Sequence, residues 1–120
     1  MRDAFVRFTN GLHKLYAEQP TECAEVDALL AHLCEQTEAS KPVRITDLVR
    51  AGRFGTLPTL SKRLREMEAR DLIRMRTGVD RRTHLVELAA GGEAVLDSRG
   101  KLMREAGATN GRARNGGRTA

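Results

Sequence analysis

The stretch 56–71 reads TLPTLSKRLREMEARD, and it decides the fold. Leu60, Leu64 and Met67 repeat at i, i+4 and i+7, the spacing of one buried face on an α-helix. The first residue is a threonine, a suitable N-cap, and Pro58 falls in the first turn, where its missing N–H is not needed. Most other positions carry hydroxyl groups or charges. The sequence therefore predicts an amphipathic helix with a basic outer face.

A shorter helix and a tight connection precede this stretch. Residues 43–45 predict a short strand, and Thr46 is the predicted N-cap of a helix over 47–51. Gly52 is a natural stop, because glycine readily takes the left-handed conformation at a helix end. A short helix, a glycine-containing turn and a second helix make a helix-turn-helix.

Two apolar strands follow, joined by an arginine-rich turn. The segments LIRMR (72–76) and THLVEL (83–88) have the apolar content of half-buried strands. The turn between them, TGVDRR, places two arginines directly after Asp80. A helix-turn-helix followed by a β-hairpin is the order of elements in a winged helix-turn-helix.

Helices are also predicted at both ends of the chain. Residues 3–19 have apolar side chains at helical spacing and end at Pro20, and Thr21 is the predicted N-cap of the next helix. Residues 93–106 predict a final helix. The fold class is mainly α with a small β-hairpin (α+β), a winged helix-turn-helix with an additional N-terminal and a C-terminal helix. The expected division is 1–20 for an N-terminal dimerisation helix, 21–106 for the winged helix-turn-helix domain with its C-terminal helix, and 107–120 for a disordered basic tail without large apolar residues.

Positive charge is concentrated in the middle of the chain. The net charge of the 120 residues is +5, but residues 44–86 carry eleven basic and five acidic side chains. Such a concentration indicates a polyanionic partner for the helix-turn-helix and the hairpin. Aromatic residues make up only 3% of the chain, which argues against a base-stacking platform for single strands.

Several other classes of protein are disfavoured. The N-terminus does not resemble a signal peptide, and no apolar run approaches the ~20 residues of a membrane span, so we expect a cytoplasmic protein without a membrane partner. Cys23 and Cys34 are expected to be small core residues, and no metal or other cofactor is expected. The sequence lacks a phosphate-binding loop, an H-E-x-x-H motif and a C-x-x-C motif, and we expect no enzymatic activity.

The segments TLPTLSKRLREMEARDLIRM (56–75) and VDRRTHLVELAAGGEAVL (79–96) resemble the DNA-binding lobe of MarR-family transcriptional regulators. The matching features are a threonine-containing recognition helix that ends in a leucine-rich turn, the D-x-R pair of the wing, the return strand and a glycine after it. Their counterparts here are Thr59, Leu64, Met67, Glu68, Asp71, Leu72, Ile73, Asp80, Arg81, Arg82, Val86, Glu87, Leu88, Gly91 and Gly92. The chain differs from the family in having Ala89 at a threonine position and Asp71 at a glycine position. Its C-terminal helical region is also shorter.

The resemblance implies a regulator that binds double-stranded DNA as a homodimer, with Asp80 pairing with Arg82 to stabilise the wing. A small-molecule effector is possible in such a family, but no residue of this sequence points to one. On physical grounds, the recognition helix (about 56–70) would enter the major groove and the wing (about 74–86) the minor groove. The candidate DNA-binding residues are Thr56, Pro58, Thr59, Ser61, Lys62, Arg63, Arg65, Arg76, Arg81 and Arg82, and the candidate dimerisation residues are Phe5, Phe8, Leu12 and Tyr16.

Two other functions fit the same pattern. A winged helix can serve as a protein-interaction adaptor in a larger assembly, in which case its arginines would meet an acidic protein surface. A basic winged helix can also coat DNA as an architectural protein without reading its sequence. The basic charge of both the helix and the wing favours DNA over a protein partner.

Overall fold

The computed structural model describes the backbone of residues 2–78 and 82–119, and the side chains of those residues up to 108. It confirms the predicted α+β winged helix fold. Contacts divide the chain into a winged-helix unit, residues 24–96, and a terminal unit, residues 1–23 with 97–120. The elements are α1 (Arg2–Glu18), α2 (Ala24–Glu38), β1 (Val43–Arg44), α3 (Ile45–Ala51), α4 (Leu57–Ala69), β2 (Ile73–Thr77), β3 (His84–Leu88) and α5 (Ala90–Thr119).

The core of the winged-helix unit is aliphatic, and its fully buried side chains come from α2, from both helices of the helix-turn-helix (α3 and α4) and from β2. The predicted stripe of α4 is buried, as is the stripe of α2, because these are the positions that recur on one helix face. Removing this apolar surface from water is the main favourable contribution to folding. The fully buried large side chains are Leu29, Leu30, Leu33, Leu48, Leu60, Leu64, Met67 and Ile73.

The wing belongs to a three-stranded antiparallel sheet with the order β1-β3-β2. The predicted hairpin is present, and the short predicted strand joins its other edge by pairing Val43 with Val86. On the opposite side, Met75 pairs with Val86. Val43 and Val86 are buried, so the sheet is anchored to the core through its central strand.

Helix α2 begins at Ala24, and the prediction that Thr21 is its N-cap is therefore wrong. The backbone N–H of Glu22 donates to the carbonyl of Gln19 at 2.8 Å, which closes a turn before the helix starts. The Glu22 carboxylate instead accepts a hydrogen bond from Arg99 at 3.1 Å. Glu22 therefore lies before the helix in an ion pair, and the acidic residues of the first helical turn are Glu25 and Asp27.

Helix α3 begins at Ile45, so its N-cap is Arg44 and not the predicted Thr46. Asp47 accepts a hydrogen bond from the backbone N–H of Arg44 at 3.1 Å and also binds its guanidinium. These hydrogen bonds lower the pKa of Asp47 and raise that of Arg44. A carboxylate at the third helical position can accept a hydrogen bond from the backbone N–H of the N-cap residue, as in a capping box.

Two glycines allow α5 to approach the connection between α4 and β2. A Cβ on Gly91 would overlap the carbonyl oxygen of Asp71, and one on Gly92 would overlap that of Leu72. Asp71 has a φ of 58°, the left-handed conformation that glycine adopts most easily. Asp71 therefore holds a backbone conformation that is costly for most residues other than glycine.

The terminal unit contains α1 and the greater part of α5. Helix α1 has no buried residue, and Phe5 is 67% exposed. The ion pair between Glu22 and Arg99 is largely enclosed, with each side chain 12% exposed. Helix α5 continues to Thr119, whereas the sequence predicts a disordered tail from residue 107. Extending an existing helix adds a hydrogen bond per residue without a new nucleation step, so it does not need large apolar side chains.

The cysteines are not core residues, contrary to the prediction. Cys23 precedes α2 and Cys34 lies within it, and both are partly exposed and form no disulfide. The Cys34 Sγ lies 3.7 Å from a carboxylate oxygen of Glu38. Within residues 2–78 and 82–119, no helix is both long enough and apolar enough to span a membrane.

Candidate nucleic-acid interface

Helix α4 presents a polar outer face because its buried apolar residues lie on the opposite side. Thr59, Lys62 and Arg65 are exposed, whereas Leu60 and Leu64 are fully buried. The helix has no acidic residue in its first turn, so the positive end of its dipole is not neutralised there. Of the other candidates on this helix, Thr56 and Pro58 are exposed, and Ser61 and Arg63 are half-buried.

The turn before α4 fixes the start of the helix. Gly52 ends α3 in the left-handed conformation with a φ of 79°, and Gly55 has a φ of 98°. Between them, the side chain of Phe54 is only 5% exposed and anchors the turn in the core. Thr56 occupies the predicted N-cap position, but its side chain makes no hydrogen bond to the helix backbone, and its hydroxyl instead donates to the Thr59 hydroxyl at 3.3 Å. The two threonine side chains are thereby held together at the exposed end of the helix.

A hydrogen bond joins α4 to the wing. The carboxylate of Glu68 accepts from the backbone N–H of Met75 at 2.9 Å. Met75 lies on β2, an edge strand whose outer backbone groups have no neighbouring strand in the sheet. The bond occupies one of these groups and ties the helix to the strand that leads to the wing tip.

The wing carries exposed basic side chains on β2 and in the segment that leads into β3. Arg76 forms an ion pair with Glu87 across the hairpin at 2.6 Å, and both side chains are substantially exposed. Exposed pairs of this kind contribute only about 0.2–1 kcal/mol, so a phosphate could compete for Arg76. Arg82 is exposed. Arg81 and Asp80 lie outside the described residues, as does the predicted pairing of Asp80 with Arg82.

The sequence did not indicate two features beside α4. Arg53 in the turn lies 3.0 Å from Nδ1 of His32, which is 21 residues earlier in the chain. No local pattern indicates a contact over that separation. Leu57, the first residue of α4, is 52% exposed, although an apolar residue at a helix start is usually assigned to the core. Its spacing of three residues from Leu60 matches the buried stripe, so the sequence pattern alone gave no signal of its exposure.

The candidate dimerisation residues lie along α1 in the terminal unit. Phe5 is exposed, and Phe8, Leu12 and Tyr16 are half-buried. The same unit exposes two further large apolar side chains, with Val6 at 46% and Met103 at 57%. Apolar side chains that form one contiguous exposed patch are characteristic of a protein contact, which makes the helical face that carries Phe5 the candidate for one. Among the described residues, no group of histidine, cysteine and acidic side chains could hold a metal ion.

No family model and no curated protein sequence matches the chain. Solved structures of MarR-family regulators do match in fold. MepR, a transcription regulator of the Staphylococcus aureus multidrug efflux pump MepA, has a TM-score of 0.66 at 20% identity, over 88% of this chain and 74% of its own. The S. aureus MepR–DNA complex has a TM-score of 0.69 at 21% identity, over 92% and 88%.

A regulator from Bordetella bronchiseptica is also similar. BpsR, whose DNA binding is regulated by 6-hydroxynicotinic acid, has a TM-score of 0.63 at 20% identity, over 90% of this chain and 74% of its own. These similarities extend beyond the helix-turn-helix to most of the chain. The protein therefore has the winged helix-turn-helix fold of the MarR-family transcription regulators MepR and BpsR.

Proposed function

We propose that the chain is a sequence-specific, double-stranded DNA-binding transcriptional regulator that acts as a homodimer. The observation that carries the proposal is the exposed Thr59, Lys62 and Arg65 face of α4, opposite a fully buried stripe. A helix of this kind fits the major groove and presents its N-terminal residues to base edges. The similarity in fold to MepR, which has been solved bound to DNA, supports this function.

The roles proposed for side chains on α4 follow from their chemistry and place in the helix. Thr59 and Lys62 can donate to base edges, and the methyl groups of the exposed Leu57 can contact a thymine methyl group. Arg65 and Arg63 are long enough to reach flanking phosphates. Phosphate contacts position the helix on the duplex, whereas base contacts select the sequence.

The wing supplies the second contact in this proposal. Arg76 and Arg82 are exposed on the strands and the turn of the hairpin. Together with Arg81, they would approach the minor groove, whose negative potential deepens where A·T-rich sequence narrows it. The bond between Glu68 and Met75 would keep the wing in register with α4.

The homodimer is proposed from the apolar face of α1. Phe5 and Val6 expose apolar surface that a second copy would cover, and Phe8, Leu12 and Tyr16 continue the face along the helix. A two-fold dimer would present two recognition helices to half-sites about one helical turn apart. Such pairing would multiply both the affinity and the sequence discrimination of one helix.

The test of the DNA-binding role compares Lys62→Ala with Lys101→Ala in titrations against short duplex DNA. Both changes remove one exposed lysine, but Lys101 lies on α5, in an exposed pair with Glu105. We expect Lys62→Ala to weaken binding and Lys101→Ala to leave it unchanged. Equal affinities of wild type and Lys62→Ala would remove this residue from the interface. The absence of wild-type binding at low salt would instead favour a protein partner.

A further inference from the structure

The turn between α3 and α4 holds one guanidinium group in place through two neighbouring rings. Nη2 of Arg53 lies 3.0 Å from Nδ1 of His32, and Cζ of Arg53 lies 4.6 Å from the centre of the Phe54 ring. The His32 and Phe54 rings also contact each other, with centres 5.3 Å apart. Because a guanidinium group can only donate, Nδ1 must be the acceptor, and the ring hydrogen is then on Nε2.

The location of this guanidinium group is relevant to DNA. Arg53 is three residues before Thr56, the N-cap of α4. If the N-terminal half of α4 enters the major groove, the turn before it lies beside the phosphates at the edge of that groove. Arg53 is exposed, so its guanidinium is accessible from solvent. The nearest anionic group of a bound duplex at this place is a backbone phosphate.

A second basic side chain converges on the same place. Arg53 and Arg63 both line a cavity of about 190 Å³ at the start of α2. Glu25 also lines this cavity, but a single carboxylate does not balance two guanidinium groups. The net positive charge favours an anion over a neutral ligand.

The two rings should also lower the cost of binding. A flexible arginine side chain loses up to about 2 kcal/mol of conformational entropy when it is fixed in one place. The contacts with His32 and Phe54 restrict the Arg53 side chain before DNA arrives. The hydrogen bond to His32 uses one of five N–H donors on the guanidinium group, and this group matches the geometry of phosphate.

We infer that Arg53 contacts a backbone phosphate of duplex DNA at the edge of the major groove, and that His32 is a positioning residue for its guanidinium group. This inference rests on the proposed DNA-binding function. Arg53 was not among the candidate residues found from the sequence. The contact would add affinity for DNA of any sequence and would leave the preferred sequence unchanged.

The test measures DNA affinity over a series of salt concentrations for Arg53→Ala and for a control, Arg104→Ala. Arg104 is also an exposed arginine, so its loss removes the same charge, but it lies on α5 outside the winged-helix unit. We expect Arg53→Ala to weaken binding about tenfold at low salt and to reduce the slope of log affinity against log salt by about one. Arg104→Ala should change neither quantity.

Variants of His32 test the positioning role. His32→Phe removes the acceptor, whereas His32→Asn offers an amide oxygen near the position of Nδ1. We expect His32→Phe to weaken binding in the wild-type background and to have no further effect in the Arg53→Ala background, the pattern of a residue that acts through another. His32→Asn should bind like wild type. Circular dichroism of each variant establishes that it is folded.

The possible outcomes separate the inference from the function on which it rests. If the wild type binds DNA and Arg53→Ala has the same affinity and salt slope, the inference is refuted while the proposed function stands. If His32→Phe is equally harmful with and without Arg53, the positioning role of His32 is refuted. If the wild type does not bind duplex DNA even at low salt, the proposed function fails, and the inference fails with it.

Discussion

Substituting alanine for glycine at two positions of α5 should have opposite effects on stability. At Gly92, a Cβ would overlap the carbonyl oxygen of Leu72 and lie 2.7 Å from Cδ1 of Leu88. Real Cβ atoms essentially never approach a neighbour within 3.0 Å, so the backbone of α5 or of the α4–β2 connection would have to move. At Gly100, the nearest atom is Nη1 of Arg104 at 3.6 Å, which leaves room for a methyl group.

Two effects of opposite sign set the change in the free energy of unfolding: the cost of overpacking and the higher helix propensity of alanine. Overpacking a close contact costs about 1–3 kcal/mol, and the carbonyl oxygen near Gly92 is backbone, which cannot rotate away. Alanine gains up to about 1 kcal/mol over glycine within a helix. Because this backbone contact would be far inside 3.0 Å, we expect a cost of about 2–3 kcal/mol. After the gain of about 1 kcal/mol, Gly92→Ala should lower the free energy of unfolding by about 1–2 kcal/mol. Gly100→Ala should raise it by about 0.5–1 kcal/mol, because only the favourable term operates there.

Thermal and urea denaturation followed by circular dichroism would measure both effects. For a chain of 120 residues, 1 kcal/mol corresponds to a shift in Tm of roughly 4 °C. The two variants carry the same substitution in the same helix, so each is the control for the other. If Gly92→Ala were as stable as wild type, the close approach of α5 to the α4–β2 connection would be refuted.

Three further predictions concern an N-cap, an ion pair and the proposed dimer. Asp47→Asn should lower the free energy of unfolding by about 0.5–1 kcal/mol near neutral pH. Folding lowers the pKa of Asp47, so the stabilisation by its carboxylate is present above the ordinary pKa of about 4 and is lost as the pH falls through the lowered pKa. In acid titrations of stability, the difference between Asp47→Asn and wild type should therefore shrink below about pH 4. A difference that did not depend on pH would contradict this cause. Glu22→Gln should cost about 2–3 kcal/mol, because it replaces the carboxylate of an enclosed ion pair with a neutral amide, whereas Glu105→Gln, in an exposed pair, should cost under about 0.5 kcal/mol. Equal losses in urea denaturation would refute the distinction. Phe5→Asp should convert the proposed dimer to a monomer in sedimentation measurements at about 10 µM, an order-of-magnitude concentration for a functional dimer. A wild-type protein that is already monomeric at this concentration would refute the dimer.

Regular burial made most of the fold predictable from the sequence. The spacing of Leu60, Leu64 and Met67 places them on one face of a helix, and all three are buried as expected. The strands of the hairpin were also located to within one residue at each end. These features are local, since each depends on side chains a few residues apart.

Features that depend on particular side-chain contacts were missed. Thr46 is a good N-cap by residue type, but Asp47 binds both the backbone and the guanidinium of Arg44 and sets the helix start earlier. The two glycines at 91 and 92 were recognised as part of a family pattern, but their close contact with the α4–β2 connection requires the folded structure. The contact between Arg53 and His32 likewise joins residues that no sequence period relates.

The measurement that most directly tests the account is a selection from a random pool of duplex DNA over a series of salt concentrations, with sequencing of the retained duplexes. We predict binding that weakens steeply with salt and enrichment of an inverted repeat with half-sites about one helical turn apart. Retention without enrichment would contradict sequence-specific reading and indicate an architectural DNA-binding protein. The absence of retention even at the lowest salt would contradict DNA binding itself.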